Sequence, residues 1–261
     1  MWTKCINWFE ENNASMEIKR LKELADRSYN SGMYTFTDFL DMAQLSEYYE
    51  HEKELNYANP EAFGGYELAE RKVIRFGNEE SLGYSQDYPV TALSILPVNK
   101  KFSDDLSHRD FLGALMNLGI KRELFGDIFV RDNEACVFCL DSIAEYIISN
   151  LSRVKHTTVK VQVCQDVSSI STPKTEDKLI QVSSVRADAV IARVYNLSRQ
   201  EAYALFPEGL VYINGRLTTE NAKSLNAGDQ ISVRGKGKFR FETEGGLSRK
   251  GKINCQISIY I

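Results

Sequence analysis

Apolar positions along the chain follow two periods, and the change from one to the other divides it. Over residues 16–29, Ile18, Leu21, Leu24 and Ala25 recur at helical spacing with Lys and Glu opposite, and Gly32 is placed to end that helix. Thr35 or Thr37 can cap a second helix that carries Phe39, Leu40, Ala43 and Leu45 towards Tyr48. The paired glycines Gly64-Gly65 mark a turn, and residues 66–71 read as a short helix feeding a strand at 73–76. This block, 1–76, is expected to be a mostly helical, acidic domain.

Beyond it the spacing shortens. Residues 90–98 are β-branched and apolar, a strand. Ser107, with Asp110 three residues on, opens a helix whose buried face is Phe111, Leu112, Leu115, Met116 and Leu118, and Gly119 stops it. Two strands, 128–130 and 135–140, flank the tight-turn pair Asp132-Asn133. Asp141 caps a helix through Ile143, Ala144, Ile147, Ile148 and Leu151, and Val159, Val161 and Val163 then alternate with polar residues in a half-buried strand. The order β-α-β-β-α-β predicts a ferredoxin-like, RRM-like domain over 77–167 in an α+β chain. Ser/Thr-rich residues with Pro173 predict a linker at 168–182, and 183–261 forms a third domain with C-terminal strands.

Within 185–239 three clusters stand out. Ser198-Arg199-Gln200-Glu201 is a capping box at a helix start. Asn214-Gly215 turns a hairpin that projects Arg216, and Gly228-Asp229 makes a second turn. Arg234, Lys236 and Lys238 alternate with glycines that let a ligand approach the backbone.

Charge sharpens this reading. The formal net charge is −4, yet residues 183–261 hold 12 Lys+Arg against 7 Asp+Glu, a net of +5 that leaves −9 on 1–182. A basic third on an acidic protein predicts a polyanion partner for that third. Arg186, Arg193 and Arg199 lie at or near helix ends, where a guanidinium and free backbone N–H groups can share one phosphate. Five cysteines in 261 residues do not make a disulfide framework, so reduced thiols and a cytoplasmic location are expected. No apolar run approaches the roughly 20 residues of a spanning helix.

Catalytic and metal patterns fall short. His108-Arg109-Asp110 has the order of a kinase catalytic loop, but the position that should hold a magnesium-binding Asn is Leu115. Cys136 and Cys139 have metal-site spacing without a second pair, and on a strand they point to opposite faces. Catalytic residues, a metal and a cofactor are therefore not expected. An RNA-modifying enzyme and a protein-interaction adaptor remain as alternatives to a binding protein.

At Arg186, Asp188, Ser198-Arg199, Ala202, Val211, Asn214-Gly215, Gly228-Asp229 and Val233-Arg234-Gly235 the sequence resembles the S-four-type RNA-binding domain, departing from it at Ala187 and at Phe206-Pro207-Glu208. Gly64-Gly65-Tyr66, Glu70-Arg71, the stretch 107–116, Gly119-Ile120-Lys121-Arg122-Glu123 and Gly126-Asp127-Ile128 look like the bacterial YlmH family. That resemblance spans nearly the whole chain. It implies a non-enzymatic binder of rRNA or tRNA on the large ribosomal subunit, acting in rescue or quality control. The expected RNA contacts are Arg186, Arg193, Ser198, Arg199, Asn214, Gly215, Arg216, Arg234, Lys236 and Lys238. His108, Arg109, Lys121, Arg122 and Asp127 are expected as a second contact surface, mainly from the resemblance. The third strand of the central sheet, with Phe138 between two cysteines, lacks the basic-Gly-aromatic pattern of base-stacking sheets.

Overall fold

A computed structural model describes residues 18–165, 167 and 175–260. The chain is α+β and divides into two compact units, Met1–Thr172 and Pro173–Ile261.

In the first unit, helix α1 (residues 18–31) buries Leu21 and Ala25 and closes where Gly32, at φ 64°, donates its N–H to Ser28 O at 3.0 Å. The expected start of this helix at residue 16 lies outside the described residues. Strand β1 (Thr35–Phe36) follows, and helix α2 (Met42–Leu55) begins later than its threonines predict. Asp41 is the cap: its Oδ1 accepts from Ala43 N at 2.9 Å and Gln44 N at 3.0 Å, while Gln44 Oε1 accepts from Asp41 N at 2.8 Å. The threonine hydroxyls are occupied elsewhere, Thr35 donating to Leu24 O at 2.8 Å and Thr37 accepting from Ile74 N at 2.9 Å. Strands β2 (Glu61–Phe63) and β3 (Val73–Phe76) complete a three-stranded sheet in the order β1-β3-β2. Residues 66–71 are turns and not the expected helix. The Asp127 carboxylate takes the N–H groups of Glu70 at 2.7 Å and Arg71 at 3.3 Å, so they are not available to carbonyls four residues back.

A one-turn helix, α3 (Glu79–Leu82), leads into the central elements β4 (Val90–Pro97), α4 (His108–Met116), β5 (Phe125–Arg131), β6 (Glu134–Leu140) and α5 (Asp141–Asn150). A short strand, β7 (Arg153–Val154), precedes β8 (Thr157–Val163). The sheet runs β5-β6-β4-β8-β7 with every neighbour antiparallel. Asp132 and Asn133 both have positive φ, 50° and 64°, as a two-residue hairpin requires. At α5 the cap is Leu140, and Asp141 is the first helical residue, its Oδ1 accepting from the Thr91 hydroxyl at 2.5 Å.

Both faces of this sheet are covered. On one, Leu93, Ile95 and Val137 pack with Phe111 and Leu115 of α4 and Ile147 of α5. On the other, Ala92, Cys136 and Phe138 pack with Phe36, Phe39, Tyr66 and Val73 from the preceding block, and with Tyr88. That second core spans the boundary expected at residue 76, so the helical block and the central sheet form one unit and not two. Cys136 and Cys139 do fall on opposite faces, both buried.

The second unit holds β9 (Thr175–Val182), α6 (Ala187–Val194), α7 (Arg199–Ala204), β10 (Val211–Ile213) and β11 (Arg216–Leu217). It ends with β12 (Gln230–Val233), β13 (Gly237–Leu247) and β14 (Ile253–Tyr260). They form an antiparallel sheet, β11-β10-β12-β13-β14-β9. The expected linker is corrected here. Its second part is β9, paired with β14 from Val182↔Ile253 to Thr175↔Tyr260, and Ile180 and Val182 bury into the core; residues 168–174 lie outside the described residues. Ala187, Ile191, Ala202 and Phe206 seal the inner face of the sheet over Val211, Ile231, Val233 and Phe239. Each large apolar side chain buried this way contributes roughly 1.5–3 kcal/mol. Among the described residues, no helix is long and apolar enough to cross a membrane.

Candidate nucleic-acid interface

The second unit displays its cations at the ends of elements. Ser198 caps α7: its Oγ accepts from Glu201 N at 3.2 Å, and Glu201 Oε2 accepts from Ser198 N at 2.7 Å. The box leaves Arg199, the first helical residue, exposed to solvent. The Ser198 hydroxyl and amide hold the Glu201 carboxyl below its usual range, and the Lys236 ammonium adds to that. Lys236 sits in the turn between β12 and β13, and next to it a Cβ at Gly237 would lie 3.7 Å from Tyr195 Oη, which sets the β12–β13 tip against the α6–α7 corner. Two clusters separated by about 35 residues of sequence thus share one rim.

Arg234 and Lys238 are held differently. The register pairs Tyr212 with Ser232 and Ser232 with Lys238, and these alternate with the core residues Val211, Ile213, Ile231, Val233 and Phe239. Tyr212, Ser232 and Lys238 therefore share the sheet face turned away from α6 and α7. The Arg234 guanidinium lies 5.2 Å from the Tyr212 ring centroid and the Lys238 ammonium 5.5 Å from that of Tyr260. Arg216 belongs to neither group. It pairs with Ile213 at the end of β10 opposite the Lys236 tip, so the structure does not gather all the expected contacts in one place.

Three of the expected contacts also have structural partners. Asn214, at φ 53°, donates from Nδ2 to Asp229 Oδ1 at 2.8 Å and accepts at Oδ1 from Gln230 N at 2.9 Å. With Gly215 at φ 77° it builds the hairpin, and its amide ties the first turn to the second. Arg186 caps α6 and forks onto the buried Asp188, Nε to Oδ1 at 3.1 Å and Nη2 to Oδ2 at 2.6 Å. Asn221 donates to the same Oδ2 at 2.9 Å. Such a bidentate pair orients Arg186 away from a phosphate role. Arg193, in the last turn of α6, lines a separate cleft of about 440 Å3 with Lys252, Asn196 and Gln181. Lys252 and the two tyrosines under the cations were not legible, because cross-strand register alone brings them there.

The second expected surface, in the first unit, comes together only in part. Asp127 is a hub: Oδ2 accepts from Tyr66 Oη at 2.7 Å and Glu70 N at 2.7 Å, and Oδ1 from Arg71 N at 3.3 Å. Burial, with the Asp127 carboxylate adding to it, pushes the Tyr66 hydroxyl well above its ordinary range. Arg122 donates from Nη1 to Phe125 O at 2.9 Å and Gly126 O at 3.2 Å, and lies near enough to His108 to join burial in lowering that imidazole. Asp127 opposes that shift. Lys121 and Arg109 are exposed, Lys121 lying 3.8 Å from Glu123. Arg71, which the sequence reading used only within a motif, proves central to this cluster.

Among the described residues, no base-stacking surface is open on the central sheet. Phe138 stacks on Tyr66 at 5.4 Å and Phe129 meets Tyr66 edge-on at 5.1 Å, which covers the face on which RNA-recognition sheets bind bases. Among the described residues, no group of three or more His, Cys, Asp or Glu is gathered to hold a metal.

An α+β fold with cations set at helix starts and hairpin tips has the build of a nucleic-acid-binding protein. Residues 84–167 match the family model described as "Putative RNA-binding domain in YlmH". The ribosome-associated protein quality control protein P2 of Bacillus subtilis (strain 168) is 30% identical over 191 residues, 72% of this chain and 73% of that protein. The solved cell division protein ylmH from Streptococcus pneumoniae aligns over 61% of this chain and 95% of its own, at 18% identity and a TM-score of 0.49. The chain belongs to the YlmH family.

Proposed function

We propose that this protein is a non-catalytic RNA-binding factor of ribosome-associated quality control, holding rRNA or tRNA on the large ribosomal subunit. The second unit acts as an S-four-type domain whose rim of Arg199 and Lys236 grips phosphates, while Arg234 and Lys238 extend the basic surface on the sheet face. The central β-α-β-β-α-β portion is a ferredoxin-like domain that serves as scaffold. The observation that carries the reading is the seat of the β12–β13 tip against the α6–α7 corner, Gly237 beside Tyr195, which brings Lys236 to the side of the unit where Arg199 stands exposed at a helix start. Support from outside the chain comes from the family, its RNA-binding domain model and the named role of the Bacillus relative.

The test is sedimentation with large ribosomal subunits across a salt titration. Each phosphate contact contributes a slope of about 0.9 in log K against log salt, so Arg199→Ala with Lys236→Ala should weaken binding and flatten the slope by about two. A double variant that sediments as the wild type does at every salt concentration refutes the assignment.

A further inference from the structure

Arg71 and Arg122 differ from the ion-paired arginines of the first unit. Arg20 pairs with Asp38 at 2.9 Å, and Arg75 pairs with Glu61. Arg71 and Arg122, both half-buried, are instead bound to main-chain carbonyls. Arg71 donates from Nε to Phe125 O at 2.9 Å and from Nη2 to Phe39 O at 2.9 Å and Arg122 O at 3.4 Å. Arg122 uses Nη1, for Phe125 O and Gly126 O. Carbonyls fix a guanidinium in place but neutralise only part of its charge. Among the described residues, neither arginine forms an ion pair with a carboxylate within 4 Å, and Nη1 of Arg71 and Nε and Nη2 of Arg122 have no acceptor.

Both side chains line one cleft of about 400 Å3. Its three acids have partners of their own. Asp41 caps α2, Asp38 binds Arg20, and Glu123 faces Lys121 at 3.8 Å. Burial pulls Arg122 down to about 10, with repulsion from Arg71 adding to it and the Asp127 and Asp41 carboxylates opposing it; burial also lowers Arg71, against Asp41, Asp127 and Glu123. The carboxylates offset only part of the burial cost, since both arginines still end below their ordinary value, and an incoming anion relieves what remains.

We propose that the Arg71–Arg122 cleft binds a phosphate group, carried either by an RNA backbone or by a free nucleotide. A carboxylate is satisfied by the fork of one arginine, whereas the tetrahedral oxygens of a phosphate can be shared between two guanidinium edges arriving from different elements. The cleft has the volume of sites that hold nucleotide-sized ligands, about 300–1,000 Å3. Arg122 lies inside the matched RNA-binding domain, whose sheet faces are both covered, so contact there falls to its edges and clefts. Arg71 lies outside it, in the segment tied down by Asp127, so the site needs the whole unit folded. The proposal does not depend on the second unit.

The test uses the full chain, labelled with 15N-arginine, and three probes: inorganic phosphate, 5′-AMP and a short single-stranded RNA. At least one probe should move the Nε–H resonances of Arg71 and Arg122 in the wild type. Arg122→Gln should weaken that probe's affinity roughly tenfold, the loss expected for a charge-assisted contact, whereas Lys160→Gln, an exposed position on β8 with the same change of net charge, should leave it within about twofold. Response to RNA alone assigns the phosphate to a polynucleotide; response to AMP or phosphate assigns it to a free species. The RNA response should persist in the Arg199→Ala, Lys236→Ala variant, which separates this site from the rim of the second unit. Unmoved resonances with all three probes at millimolar concentration overturn the proposal. Equal losses in Arg122→Gln and Lys160→Gln overturn it too, and the wild-type spectra decide the matter even if Arg122→Gln folds poorly.

Discussion

The two units carry arginine and lysine in opposite ways. In the second, Arg199 and Lys236 stand exposed at the ends of elements, and the hydrogen bonds beside Arg199, between Ser198 and Glu201, shape the backbone beneath. In the first, Arg71 and Arg122 are half-buried, and their own N–H groups hold the chain together by taking carbonyls of residues 39, 122, 125 and 126. The cations proposed to meet a ligand in the second unit hold no chain together, whereas the two arginines of the proposed phosphate cleft in the first unit do both. Solvated cations contribute to long-range attraction and little to stability. Substitutions should therefore differ, with salt-dependent binding lost at little cost in stability in the second unit, and stability lost in the first alongside any loss of phosphate binding.

The largest effect is expected at Gly65. Its φ is 98°, and a Cβ there would lie 2.2 Å from Cδ1 of Phe138, the ring on which Tyr66 stacks. Gly65→Ala should destabilise the first unit by about 3 kcal/mol or more in urea unfolding. Gly83→Ala, at φ 77° with nothing within 4 Å, should cost only about 1 kcal/mol. Equal losses would mean the contact with Phe138 is not what the glycine provides. Next comes Asp127→Ala, which leaves the Tyr66 hydroxyl and two backbone N–H groups without their acceptor and should cost about 3 kcal/mol. If ribosome binding fell with no change in unfolding midpoint, Asp127 would belong to a contact surface and the contrast between the units would fail.

The second unit holds its own internal test, because Arg186 behaves like a first-unit arginine. Removing it leaves Asp188, buried, with Asn221 and Ala189 N–H as its remaining side-chain partners. Arg186→Ala should lower stability by about 1–2 kcal/mol, discounted for the partial exposure of the arginine, and leave the salt slope of RNA binding nearly unchanged. Arg199→Ala should do the converse. Slopes that fall equally in both variants would return Arg186 to the contact set.

What could be read ahead of the structure follows the same division. Ser198 and Glu201 are three residues apart, and Asn214 and Gly215 adjacent, so capping and turn chemistry state their geometry locally. The six central elements were legible because α4, β4 and β8 each show one clean period. The Asp127 hub was not, because its donors lie 56–61 residues away and nothing local to Asp127 announces them. The same distance effect turned residues 66–71 from helix to turn. Strand β9 was hidden by composition. Thr175, Asp177 and Lys178 look like linker residues, and only the pairing with β14 makes them a strand, in which Asp177 accepts from the Ser258 hydroxyl at 2.6 Å. Arg186 looked like a free cation because Asp188, two residues on, could equally have pointed to solvent.

The smallest expected effect concerns a half-buried acid at the surface of the first unit, and it marks where the architectural role of charge ends. Asp110, in the first turn of α4, binds Lys155 Nζ at 2.8 Å, accepts from Ser107 Oγ at 2.6 Å and from Ser107 N at 2.8 Å. These partners, Lys155 first and then Ser107, hold its carboxyl down at about 2, against an ordinary 3.8. A depressed folded value means the unfolded chain binds the proton more readily. The contribution of Asp110 to stability is therefore complete above about pH 4 and disappears as pH falls towards 2. Asp110→Asn should lower the thermal midpoint slightly at pH 6 and make the acid limb between pH 4 and pH 2 shallower. The loss at pH 6 should shrink in high salt, because this latch lies on the surface. Asp127→Ala, whose partners are inside the unit, should show no comparable salt dependence. A pH 6 loss for Asp110→Asn as large and as salt-insensitive as that of Asp127→Ala would show that surface charge in this unit is architectural too.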